Sequence, residues 1–562
     1  MTFGIGDVLQ IVGALAFFVY GMKMMSDGVQ RAAGSQMRNI LRTMTKNRFL
    51  GVFTGFITTA MVQSSSATTV MTVSFVNAGL LTLVESAGVM MGANIGTTIT
   101  GWIVSLLGFK LKLSALSIPI FAIGVPMLFA GKGKLKYWGE FLIGFAILFL
   151  GLSYLKGAVP DLKHNPEVLD FLRQFTQWGF FSRLFFVMVG TIVTIVVQSS
   201  SAAMAITLTL CAQGWLDYEV AASMILGENI GTTITAEVAS MVGNTSAKRS
   251  ARIHSMFNII GVTWMVIALP YFLPFLSDIV QNVLGGSDPF QKEGMPIGLS
   301  AFHTVFNLLN VIFMLGFVNW LVKMAIWSVP DKDTEVDDTR LKFIGFSSVT
   351  PELATVELQK ETAHFGEVVS RMSGFFKTLI NTKDTKEANI MIKKLHKYED
   401  ISDNMEIEIA EYITKLSDKE ITPRTSLRLR SVLNVCNDLE RIGDIYFQLS
   451  KTIENKNENK LSFTIKQKEN INVMIAKIDE AFAEMINNLN NPHYDQVSKV
   501  KADDLEYDIN KLRDKFRKEN LVKIGNKDYN TKTAMMYNNI YSALEKVGDH
   551  IINVTEAVVG EI

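Results

Sequence analysis

Apolar residues dominate the first 329 positions, in long stretches divided by short polar breaks. After them the pattern changes to the three-to-four-residue apolar spacing of soluble helices. About 20 apolar residues cross the ~30 Å of bilayer hydrocarbon. By that measure residues 8–25, 83–107, 113–130, 137–155, 219–242, 252–270 and 299–326 each predict a crossing. Residues 50–62 with 67–80, and 184–197 with 202–213, are pairs of arms too short to cross comfortably, so each pair predicts a re-entrant hairpin turning at a polar point. Glycine and polar residues at 92–98, and again in 219–242, predict helices that break inside the bilayer, where freed backbone groups need protein, water or bound ions as partners.

The polar turning points are the same sequence. QSSSA at 63–67 returns at 198–202, and NIGTTIT at 94–100 returns at 229–235, both at an offset of 135. Residues 55–106 and 190–241 align without gaps, with about 22 identities in about 52 positions. The first unit, about 7–131, contains an odd number of crossings, so the second, about 137–275, starts from the opposite face and is inverted. The last span, 299–326, closes a membrane domain over 1–329.

Basic residues orient this domain. Arg31, Arg38, Arg42, Lys46 and Arg48 follow the first span; Lys132, Lys134 and Lys136, then Lys248, Arg249 and Arg252, fall on the same side under the predicted crossings. The positive-inside rule makes that side cytoplasmic, which puts the N-terminus outside and the C-terminal half in the cytoplasm. The first span lacks a basic leader and is followed by more membrane sequence, so it reads as a retained helix rather than a cleaved signal. Equal numbers of basic and acidic residues, 54 each, argue against nucleic-acid binding through overall basicity. Cys211 and Cys436 fall in unlike environments, so no disulfide framework is expected.

A hairpin tip inside the bilayer presents the free N–H groups of a helix N-terminus, a natural anion site. Ser64, Ser65, Ser66, Ser199, Ser200 and Ser201 add hydroxyl donors. Two inverted tips together would cradle a tetrahedral anion without a fixed Arg or Lys. An anion at that depth needs compensating charge. Gln63, Gln198, Asn94, Asn229, Thr97, Thr100, Thr232 and Thr235, with Ser199 and Ser201, offer oxygen ligands for a hard cation such as sodium. Cation and anion would then couple through linkage. A single Ser or Thr in a membrane helix more often bonds its own helix, but four repeated blocks outweigh that reading. No GxSxG elbow or SxxK surrounds either serine run, so a transporter is expected and not an enzyme. His254 and His303, in HSMFN and HTVFN, are expected to hydrogen-bond a neighbouring helix rather than carry a proton. Glu228 and Glu237 stand where the first repeat has Ala93 and Trp102; Glu228 either tunes a cation site or meets solvent or a structural partner.

QSSSA twice, each time followed by NIGTT, resembles the type II sodium/phosphate cotransporter family in its bacterial form, over most of residues 1–329. The resemblance implies sodium-driven uptake of inorganic phosphate across the bacterial plasma (inner) membrane, with phosphate at the QSSS tips and sodium on Gln, Ser and Thr oxygens. This chain lacks the large cysteine-bearing outer loop of animal members and carries a soluble tail instead.

The tail follows a linker at 330–350 and predicts six helices over 351–562. NDLERIGD at 437–444 recurs as SALEKVGD at 542–549, an offset of 105, which predicts two three-helix bundles. The fold class is therefore all-α: a polytopic membrane protein of two inverted repeats plus a soluble helical domain. The tail resembles the PhoU family of phosphate-signalling proteins. Glu440 with Asp444, and Glu545 with Asp549, are i,i+4 pairs that repel unless a cation lies between them. The PhoU resemblance implies a divalent or trivalent metal there. Glu399 with Asp403 and Asp504 with Asp508 share the offset and are weaker candidates. The whole reads as a phosphate symporter whose tail regulates it. The rivals are a membrane-anchored phosphate sensor or scaffold and a symporter of another oxyanion. Protein partners compatible with this reading are a second copy of the chain or a phosphate-signalling protein.

Overall fold

The computed structural model describes residues 5–43, 47–110, 113–158, 175, 178–241, 243–283, 285–330, 341, 343–344, 351–418, 421–491, 494–526 and 529–560. The linker 330–350 lies largely outside them, as do Lys46 and the side chains of Arg38 and Arg42. Nearly every described residue is helical and none is in a strand. Two compact units emerge, Met1–Asp331 with Phe346–Val349, and Lys332–Gly345 with Thr350–Ile562.

In the first unit α1 (Ile5–Thr43) lies along α6 (Lys134–Ala158). Glycines let the two backbones touch: a Cβ on Gly21 would sit 2.4 Å from Leu148 N, and one on Gly144 2.3 Å from Met25 N. The first hairpin is α2 (Arg48–Val62) and α3 (Ser65–Asn77), followed by α4 (Leu83–Trp102). The second is α7 (Phe180–Val197) and α8 (Ser200–Gln213), followed by α9 (Tyr218–Ser240). Each hairpin's first arm crosses the following helix at van der Waals distance, in register across the repeat. Gly92 faces Val52 O and Gly227 faces Val187 O, with room for no Cβ at 1.9 and 2.0 Å; Gly96 and Gly231 press on Thr59 and Thr194 in the same way.

These glycines correct the expected helix breaks. α4 and α9 run unbroken through NIGTT, because Gly92, Gly96, Gly227 and Gly231 serve close approach rather than unwinding. The polar side chains return hydrogen bonds to their own helix: Thr97 to Ala93 O, Thr232 to Glu228 O, Asn229 to Ile225 O. Irregularity instead follows α4, where residues Ile103–Lys110 form a π-helix.

The expected crossing at 113–130 is a short 3-10 turn, Leu113–Leu116, and a 14-residue helix α5 (Ser117–Ala130) containing Pro126. Its α-helical part is shorter than a bilayer-spanning helix. α10 (Thr245–Asn282) is 38 residues long, and the last span divides at Gly316 and Phe317 into α11 (Met295–Leu315) and α12 (Val318–Ser328). Among the described residues six helices are long and apolar enough to cross a membrane, and the first arm of the second hairpin, Phe180–Val197, expected to be too short to cross, is one of them. Large apolar side chains such as Phe53, Ile118, Phe129, Met188, Val196, Tyr271 and Phe313 point outward, as a lipid-facing surface requires. The chain is a multi-pass membrane protein.

The second unit holds α13 (Pro351–Asn381), α14 (Thr385–Ser417) and α15 (Pro423–Glu458), then α16 (Ile465–Asn490), α17 (Val500–Gly525) and α18 (Thr531–Val559). Each triplet packs as a three-helix bundle, and α15 against α18 and α13 against α16 fuse them around one apolar core. Leu395, Leu439, Tyr446, Ile475, Ile540 and Leu544 lie at its centre. Glu361 on α13 accepts the backbone N–H groups of Phe343 (2.6 Å) and Ile344 (3.3 Å), which lie ahead of that helix and are held to the bundle by it.

Candidate functional site

The two hairpin tips have one backbone. Gln63 and Gln198 cap α2 and α7 in the left-handed conformation, φ 56° with ψ 28° and 26°, and each donates its N–H back to a threonine carbonyl, Thr59 and Thr194, at 2.7 Å. Left-handed geometry is uncommon for a residue with a Cβ, and finding it twice at equivalent glutamines marks a built turn. Ser64 and Ser199 then take extended conformations and cap α3 and α8, their Oγ atoms accepting from Ala67 N and Ala202 N at 3.2 Å. The first-turn amides of Ser65, Ser66, Ser200 and Ser201 have no acceptor within their own helix, so both helix ends offer N–H donors to an anion.

A chain of hydroxyls links the tips. Thr100 on α4 donates to Gln63 Oε1 at 2.9 Å, and Ser201 of the other repeat donates to Thr100 Oγ1 at 3.3 Å. Thr59 and Thr68 bridge the two arms of the first hairpin at 2.9 Å. Gln63, Ser65, Ser200, Ser201, Thr97 and Thr100 are buried; Ser64, Ser66, Ser199 and Thr235 are half-buried, and Gln198 is exposed. Thr235 donates to Thr232 O on its own helix, where its counterpart Thr100 reaches Gln63.

The asparagines of NIGTT differ as well. Asn94 donates to Asn258 Oδ1 at 2.6 Å and its Oδ1 lies 3.3 Å from His254 Nε2, so α10 buttresses α4 as the sequence reading of His254 expects. Asn229 bonds Ile225 O within α9. The sequence did not mark Asn258, the Thr100 to Ser201 contact, or Asn77, which receives Asn244 N and is bonded by its side chain. Asn258 was readable only as part of the HSMFN and HTVFN pairing.

In the second unit, Glu399 and Asp403 on α14 and Asp444 on α15 bring carboxylate oxygens within 4.8 Å of one another. Burial first, then Asp403, Asp400 and Asp444, raises the Glu399 carboxyl above its ordinary range; burial and Asp444 do the same for Asp403, and burial with Asp444 for Glu440. Asp403 Oδ1 is buried without a donor. Three crowded acids and an unsatisfied oxygen fit a hard cation. The duplicated segment differs: Arg513 pairs with Glu545, Lys477 with Asp508 at 3.2 Å, and Asp504 is exposed. Among the described residues Asp444 is the one member of the four-residue set, Glu440, Asp444, Glu545 and Asp549, that joins such a cluster.

The profile of the Na+/Pi-cotransporter family matches residues 17–157 and 166–283, and that of the PhoU domain matches 362–453. A relative in Escherichia coli O157:H7, "Putative inorganic phosphate export protein YjbB", is 27% identical over 455 residues, 80% of this chain and 78% of its own length. The Bacillus subtilis (strain 168) protein YqeW is 27% identical over 328 residues, 58% of this chain and 99% of its own. Human sodium-dependent phosphate transport protein 2B is 38% identical over 106 residues, 18% of this chain and 15% of its own. No solved structure matches the chain. With paired QSSSA tips in its membrane half and duplicated helical bundles behind it, the chain belongs to the Na+/Pi-cotransporter family and carries a C-terminal PhoU domain.

Proposed function

We propose that the membrane half carries inorganic phosphate together with sodium, inward when sodium runs inward, and that the PhoU domain adjusts this transport. The carrying observation is the pair of matched tips joined through Thr100, since the two sets of helix-end donors lie one hydroxyl apart. Phosphate would take the amides and hydroxyls of Ser64, Ser65, Ser66, Ser199, Ser200 and Ser201. Sodium would use oxygens from Gln63, Gln198, Asn94, Thr97, Thr100, Asn229, Thr232 and Thr235, with Ser199 and Ser201. In the tail, Glu399, Asp403 and Asp444, with Glu440 beside them, would hold the metal, and Arg513 fills that role opposite Glu545. The tail lies in the cytoplasm on the positive-inside reading, where it would report internal phosphate.

The experiment is uptake of labelled phosphate into proteoliposomes with sodium imposed inward, outward or equal on both sides. Accumulation driven by inward sodium supports symport. Binding without accumulation would make the protein a sensor. The name of the Escherichia coli relative favours a second reading, phosphate export through the same tips. Efflux from loaded vesicles that ignores the sodium gradient would support it. Truncation after Pro330 should preserve transport and alter its response to internal phosphate.

A further inference from the structure

Glu228 is 2% exposed in the middle of α9. Thr207 on α8 donates to its Oε1 at 2.8 Å, while Oε2 is buried without any hydrogen-bond partner. Glu228 precedes Thr235 by seven residues, and Thr207 follows Ser200 by seven. Both helices therefore place the pair at one level, about 10 Å from the tip. The first repeat has no such feature: Ala93 replaces the acid, and Thr72, the counterpart of Thr207, donates to Thr68 O in its own helix.

The arginines on the neighbouring helices are engaged elsewhere, and Lys248 on α10 is exposed. Arg183 on α7 is held by Glu219, Arg252 on α10 by Glu237, and Arg249 by Val329 O. Buried His254 on α10 meets Asn94, and α3 has no titratable side chain. An uncompensated carboxylate at that depth is strongly disfavoured, and an unused carboxylate oxygen beside a hydroxyl is a hard, monovalent cation's ligand set.

We propose that Glu228 Oε2 and Thr207 Oγ1 form a cation site of the second repeat alone, which takes sodium and adds one ion to those moved with each phosphate. This rests on sodium coupling as proposed above and goes beyond it by naming a charged ligand outside the tips. The Glu228→Gln side chain keeps the shape and can still meet Thr207. It should move one sodium fewer per phosphate when labelled sodium and phosphate fluxes are measured together in proteoliposomes, and Thr207→Val should raise the sodium needed for half-maximal flux. Equilibrium binding of labelled sodium to the purified proteins gives a count that does not need transport: one site lost in Glu228→Gln, and full binding retained in Glu228→Asp. An unchanged sodium count in Glu228→Gln overturns the site and means that a proton occupies the carboxyl. Wild-type protein that moves phosphate without sodium would instead sink the coupling itself.

Discussion

Gln63 and Gln198 adopt the same left-handed turn, yet Gln63 is 8% exposed and accepts from Thr100, whereas Gln198 is exposed and Thr235, the counterpart of Thr100, bonds within its own helix. The repeated sequence fixes the local backbone, because the Ser cap closes within the five-residue block and the Gln turn closes on a threonine four residues before it in both repeats. What surrounds each tip is set by residues that the duplication does not share, Glu228 for Ala93 and Glu237 for Trp102 among them. The repeat thus preserves the geometry of the helix-end N–H donors and leaves the neighbouring oxygens free to diverge.

The strongest test of that sameness is the helix crossing. Gly92→Leu and Gly227→Leu each force a side chain into a carbonyl at about 2 Å and should cost about 3 kcal/mol or more. Thermal unfolding of the detergent-solubilised protein reads this, and a tolerant second repeat would break the equivalence. Next, Ser65→Ala and Ser200→Ala should each weaken phosphate binding by about 1 to 3 kcal/mol, measured by phosphate titration of transport. Wild-type affinity in either variant would remove its tip from the cradle.

The divergence is sharpened by a threonine pair. Thr100→Val leaves Gln63 Oε1 without its donor and should shift the sodium titration of uptake by about 1 kcal/mol; Thr235→Val gives up only a bond to its own helix and should stay within about 0.5 kcal/mol. Equal shifts would mean that both threonines ligate the ion alike. The smallest effect belongs to the tail. Folding raises the Glu399 and Asp403 carboxyls, so the folded state holds more protons than the unfolded one, and their contribution to stability is lost as pH rises through the raised values. Metal-free tail should therefore be steadier in mild acid than at neutral pH, and a divalent or trivalent cation should reverse this by a few degrees, ~1–4 °C, in calorimetry of the full chain. Asp403→Asn should abolish that gain while Asp549→Asn keeps it; the reverse result would move the metal to the second bundle.

Apolar run lengths and two offsets were enough to read most of the helices, the hairpin turns and the duplicated tail, but neither the shortness of α5 nor the full spanning length of Phe180–Val197. NIGTT misled because glycine beside threonine has two meanings in a membrane: a break, or a seat for another backbone. Only the position of Val52 and Val187 decides between them. The tail shows a similar limit. Glu440 and Asp444 share a helix face in sequence, but Glu399 and Asp403 meet Asp444 through packing of α14 on α15, and Arg513 reaches Glu545 from α17. Partners on separate helices leave no spacing signal.

Direct backbone contact at Gly55, Gly92, Gly190 and Gly227 has a mechanical consequence. With no side-chain layer between them, α2 and α4 have nothing to shear, and neither have α7 and α9; each pair is a stiff plate carrying its own tip. Between the tips themselves lies the 3.3 Å contact of Ser201 with Thr100, a single hydrogen bond worth about 1 kcal/mol. A turn carried on such a plate keeps its shape for as long as the glycine contacts beneath it hold.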